Sequence, residues 1–68
     1  MLRPMAYTIE NARATGQTDK GIWVEADDLD GETFIPESQI DEDSEVYKKG
    51  TEGDLIVSDW FARQRGWT

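Results

Sequence analysis

Two alternating runs, Ile22-Trp23-Val24-Glu25-Ala26 and Glu32-Thr33-Phe34-Ile35, flank the dipeptide Asp30-Gly31. Aspartate followed by glycine tolerates positive φ at two successive positions, so the segment predicts a two-residue turn joining antiparallel strands. Such a turn sets a register, with Leu29 opposite Glu32, Asp27 opposite Phe34 and Ala26 opposite Ile35. Alternation then places Ile22, Val24, Ala26 and Ile35 on one face, and Trp23 with Phe34 on the other. A loop one residue longer would swap the faces of one strand.

The flanking segments extend the pattern. Ala6-Tyr7-Thr8-Ile9-Glu10 alternates apolar and polar residues and reads as a strand running raggedly to Ala14, followed by a polar turn region over Thr15–Gly21. Pro36 cannot donate to a ladder, so the second arm of the hairpin ends there or becomes an edge. Ser38-Gln39-Ile40 reads as a short turn anchored by Ile40, and Asp41-Glu42-Asp43-Ser44-Glu45 as a solvated loop. Val46-Tyr47-Lys48-Lys49 and Asp54-Leu55-Ile56-Val57 are the remaining strand candidates.

Ser58 before Asp59-Trp60-Phe61-Ala62-Arg63-Gln64-Arg65 carries the chemistry of a helix start: a hydroxyl for the exposed amides and an acid in the first turn. Gly66 is placed to end the helix, with Trp67 folding back on Ala62 or Phe61. At about two turns the helix is too short to stand alone and must dock, with Trp60 and Phe61 forming one wide apolar face. The expected architecture is therefore mainly β: a small curved antiparallel sheet or half-open barrel of four or five strands, closed on one side by a short C-terminal helix. Residues 1–68 are expected to form a single domain, with residues 1–5 flexible.

Composition narrows the function. The chain has no cysteine and no histidine, which removes disulfides, thiol chemistry and the usual zinc ligands. Of its 15 carboxylates, all but Glu10 and Asp59 lie between Asp19 and Asp54, and the net charge is −8. That field repels nucleic-acid phosphates and anionic membranes. No apolar run approaches the roughly 20 residues a membrane span needs, and Met1–Met5 is too short for a signal peptide. A cytoplasmic protein is expected.

No motif reaches the level of a reaction. Asp28-Leu29-Asp30-Gly31 with Glu37 resembles part of a calcium loop, but Ala26 occupies the position of the first ligand. Carboxylate pairs such as Glu25 with Glu32 would need a substrate-sized cleft to act as acid and base. No enzyme activity, cofactor or metal is expected. The informative side chains are Trp23 and Phe34, which lie outside the predicted core beside Glu25 and Asp27. An aromatic patch with an acidic rim suits a protein partner, because interface centres favour aromatics while rim charge steers encounter. The alternative is single-stranded nucleic acid bound by Tyr47, Lys48, Lys49, Arg63 and Arg65, with rings stacking on bases. A further alternative is a structural homodimer formed through the same patch.

The segments Phe34-Ile35-Pro36-Glu37-Ser38-Gln39-Ile40 and Gly53-Asp54-Leu55-Ile56-Val57-Ser58-Asp59-Trp60-Phe61-Ala62, with Gly66-Trp67 behind them, resemble small uncharacterised proteins of bacteriophages and prophages. In those a hairpin also precedes an Ile-Pro-x-Ser-Gln-Ile turn, and a strand leads into a short tryptophan-bearing helix. The resemblance covers most of the chain from Ile22 onward. It implies a bacterial or phage cytosolic setting and an accessory role, and it brings no catalytic residues.

Overall fold

The computed structural model, which describes residues 6–67, folds these runs into one antiparallel sheet of four strands followed by a short helix. The expectation that residues 1–5 are flexible lies outside the described residues. The strands are β1 (Ala6–Thr18), β2 (Gly21–Ala26), β3 (Thr33–Pro36) and β4 (Glu52–Ser58), in the spatial order β3-β2-β1-β4. A 3-10 turn spans Glu37–Gln39, and α1 spans Asp59–Gln64. The sheet is mainly β, antiparallel and unclosed, as the sequence led us to expect.

β1 is the central strand and runs well past Ala14, so the broad polar turn expected over Thr15–Gly21 shrinks to Asp19-Lys20. Two bulges let it do so. Against β4 one extra residue falls between Ile9 and Ala12, where Asn11 adopts φ 58, a conformation asparagine tolerates better than most side chains. Against β2 the extra residue is Thr15, between Ala14 and Gly16. Each bulge adds twist and flips the inside–outside alternation. Ile9, Ala12 and Ala14 therefore all reach the core despite their uneven spacing.

The β2–β3 hairpin departs from the predicted register. Ile35 stands opposite Ile22, four residues from the expected Ala26, and pairing stops at Val24 with Thr33. Asp30-Gly31 does not form the two-residue turn: Gly31 has φ 91, but Asp30 is not among the residues of positive φ. Residues 27–32 form a longer loop, turned at its start by the Leu29 N–H donating to the Ala26 carbonyl at 3.0 Å. The Leu29 side chain packs against the core, a gain that a tight turn at Asp30-Gly31 would forgo. Because the shift is an even number of residues, the faces survive it.

Val46–Lys49 is not a strand. The chain from Ile40 to Glu45 instead lies along the outer margin of β4. Ile40 bridges Val57, the Asp41 N–H donates to the Ile56 carbonyl at 2.8 Å, and the Glu45 N–H donates to the Asp54 carbonyl at 2.9 Å. Ser44, expected in a solvated loop, is buried, and its hydroxyl accepts from the Ile56 N–H at 3.0 Å. An irregular segment thus covers an edge that would otherwise be open to aggregation, and it delivers Val46 to the core.

The helix begins and ends as its sequence predicts. The Ser58 hydroxyl accepts from the Phe61 N–H at 3.1 Å, Gly66 has φ 78, and the Trp67 N–H donates to the Ala62 carbonyl at 2.9 Å. Its apolar face is narrower than expected. Phe61 and Ala62 are buried, whereas Trp60 is 61% exposed. Trp67 folds back against both Phe61 and Tyr7, at ring centroid distances of 5.7 and 6.2 Å. That returning indole supplies the aromatic cover expected of Trp60.

Candidate functional site

The core closes without Trp23 and Phe34. Ile22, Val24 and Ile35 are buried with Leu55, Val57 and Val46, while Trp23, on the opposite face of β2, is 41% exposed. Trp23 and Phe34 pair across the two strands. The Glu37 N–H donates to the Lys20 carbonyl one step beyond the ladder, and alternation counted from that bond makes Trp23 and Phe34 a pair with no mutual backbone hydrogen bonds. Side chains approach closest at such positions. The rings meet edge to face, with centroids 5.3 Å apart and planes at 61°.

Both rings sit over glycine. A Cβ at Gly16, the residue across from Trp23 on β1, would lie 3.5 Å from Trp23 Cδ1. One at Gly21 would lie 2.8 Å from Phe34 Cζ. Aromatic side chains commonly shield glycine backbone in this way. The result is a low aromatic ridge on the outer face of the sheet.

The acids around the ridge are not equivalent. Glu25 faces Arg13 across β1 and β2 and accepts from it at 2.6 Å. Hydrogen bonding and charge from Glu25 raise the Arg13 guanidinium above its ordinary pKa, with smaller pushes from Glu52 and Asp27. Asp27 is exposed at the start of the loop and shares a depression with Asn11, Arg13, Glu25 and Gly31. The acid that borders Trp23 itself is Glu32, which accepts from the Thr15 hydroxyl and lines a shallow hollow with Thr15, Gly16 and Trp23. Sequence reasoning missed this role, because Thr15 comes within reach only through the bulge in β1.

The residues proposed for nucleic acid do not form one groove. Tyr47 and Lys48 stack, with the ammonium 5.6 Å from the ring centroid, and they border a cleft of about 540 Å³ that also holds Glu37, Asp41 and Glu42. Lys49 is exposed nearby, its N–H donating to Gln17 Oε1 at 3.4 Å. Arg63 is paired with Asp59 at 2.7 Å. Arg65 lies 5.9 Å from the Phe61 ring and borders a different depression, beside Asp28 and Asp30. The partial calcium pattern is divided likewise, with Asp28 and Asp30 in that depression and Glu37 in the cleft.

The fold and this surface together define a small mainly β protein carrying an outward aromatic pair flanked by carboxylates. No family model, curated protein or solved structure matches the chain. Among the described residues no helix is long and apolar enough to cross a membrane.

Proposed function

We propose that this chain is a non-enzymatic accessory protein that binds another protein through the face carrying Trp23 and Phe34. One observation supports the reading above the others: Trp23 remains 41% exposed although the core beneath it is complete. A chain this short has few large side chains to spare from its interior. An indole held rigidly against Phe34 loses little freedom on binding and offers a large apolar area. Glu32 and Asp27 supply the charged rim, while Glu25 is already engaged by Arg13. A phage or prophage setting in the cytoplasm of a bacterial host belongs to the same proposal and rests on the likeness of the Phe34–Ile40 and Gly53–Ala62 segments.

Nucleic acid is the weaker reading, since its cations are divided between two places and each lies beside acids. A homodimer through the patch would bring together two chains each carrying −8.

The test is affinity capture from bacterial lysate, with the bound protein identified and the interaction then measured with purified components. Trp23→Ala should lose the interaction while its melting curve stays close to that of the parent. Trp60→Ala, which removes an exposed indole elsewhere, should keep it. Equal loss in both variants, or retention in both, refutes the assignment of the surface.

A further inference from the structure

Among the described residues β3 forms one margin of the sheet and pairs with β2 alone. The bond from the Glu37 N–H to the Lys20 carbonyl fixes which way its backbone groups point. Residues 33, 35 and 37 direct theirs toward β2, so the N–H and C=O of Phe34 are turned outward. Pro36 presents a carbonyl there and no N–H. The ring that forms half of the aromatic ridge is thus carried by the residue whose backbone is open to a further strand.

Charge selects what that strand must carry. Glu32 stands just before β3 and Glu37 just after it, with Asp28 and Asp30 further along the preceding loop, all exposed. Against these stand Arg65, beside Asp28 and Asp30, and Lys20, across from Glu37. The margin is acidic at both ends. A short strand, a proline and flanking charges also discourage uncontrolled edge pairing, and the same acids admit a strand of opposite charge. A second copy of this chain fits poorly, because antiparallel pairing about Phe34 would set Glu32 of each copy across from Pro36 of the other, with no cation to meet it, and would join two chains each carrying −8.

We infer that β3 accepts an extended segment of the partner by strand addition, with basic residues on either side of an apolar residue placed opposite Phe34. The inference rests on the protein-binding reading above and names the form and charge of what binds. Backbone bonds to Phe34 give the attachment, and the apolar side chain lies beside the Phe34 and Trp23 rings. The basic residue across from Glu32 shares the face of Phe34 and reaches that carboxylate, and the one across from Pro36 answers the charge of Glu37, which alternation turns to the other face.

A blocked, labelled heptapeptide of sequence SKTVTKS has this pattern and serves as the probe. Fluorescence anisotropy at low salt should show binding that weakens about tenfold or more when the valine nitrogen is methylated, since this removes the donor facing the Phe34 carbonyl. Binding should be lost when both lysines are glutamates. Hydrogen exchange at the Phe34 amide should slow in the complex. No binding, equal binding of the methylated peptide, or an unprotected Phe34 amide overturns the inference. So does protection in the free protein that rises with its own concentration, which would place a second copy there.

Trp23→Ala separates this idea from the broader one. If the captured partner depends on Trp23 yet leaves the Phe34 amide unprotected, strand addition is wrong and the surface reading stands. If the peptide binds with Phe34 protected while the captured partner does not depend on Trp23, strand addition stands and the aromatic surface reading falls.

Discussion

Phe34 lies across Gly21 so closely that a methyl group on that glycine would sit 2.8 Å from the ring, 2.9 Å from the Pro36 Cα and closer still to the Ile35 carbonyl oxygen. Two of those three atoms are backbone and cannot swing away. Gly21→Ala should therefore push β3 from β2 and cost about 1–3 kcal/mol, in the range for overpacked sites. Gly16 is different. The added Cβ there meets Trp23 at 3.5 Å, an ordinary contact distance, so Gly16→Ala should be neutral or stabilising by up to about 1 kcal/mol. Denaturant unfolding of the two variants checks the contrast, and equal destabilisation would refute the close approach of β3 to Gly21 and the looser seating of Trp23 on Gly16.

Much of this surface could be read before the structure, for a reason that is physical. The side-chain period of a strand is two, so any register error of even length leaves faces intact. The β2–β3 hairpin is displaced by four residues from expectation, yet Trp23 and Phe34 still lie opposite Ile22, Val24 and Ile35 in the sense of the sheet. Long-range effects were hidden. Asp30-Gly31 has the local preference for a tight turn, but Leu29 gains more by reaching the core. The bulges at Asn11 and Thr15 break the alternation that would have revealed β1 as a single strand, and with it the contact from Thr15 to Glu32. Val46 to Lys49 has strand-like composition. β4 is already paired along that margin by the Ile40–Glu45 segment, and Val46 is used as a core plug.

Ser44 is the hinge of that covering segment. Its buried hydroxyl donates to the Val46 carbonyl at 2.8 Å while accepting from the Ile56 N–H at 3.0 Å. Ser44→Ala leaves both backbone groups without that partner in a site with little access for water. The expected cost is about 1–3 kcal/mol. Amide exchange should quicken at Ile56 more than at Ile9 or Val24, which lie on other strands. A uniform increase across the sheet would show that the segment is not an independent cover for β4.

The exposure of Trp60 makes a second contrast. Truncating it removes no core contact, so Trp60→Ala should change stability by no more than about 0.5 kcal/mol. Ile35, fully buried on the inner face of β3, should cost about 2–5 kcal/mol when reduced to alanine, because a cavity remains. Chemical denaturation measures both. A large loss from Trp60→Ala would mean that the helix docks through a wider face than Phe61 and Ala62 provide.

Ser58 joins the helix to the turn after β3. Its hydroxyl accepts from the Phe61 N–H as the helix cap and donates to Gln39 Oε1 in the 3-10 turn. Two roles on one oxygen predict unequal single variants. Ser58→Ala loses both the cap and the tether, whereas Gln39→Ala loses the tether and leaves the cap in place. Ser58→Ala should therefore be the more costly by about 1 kcal/mol, the usual worth of such a cap. In a Gln39→Ala background the same substitution at Ser58 should cost less than in the parent, by the energy of the shared bond, since residues in direct contact do not act additively. Equilibrium unfolding of the four proteins completes the cycle. Strictly additive losses would mean that the cap and the tether are independent, and that the bond between Ser58 and Gln39 contributes nothing to holding the helix against the sheet.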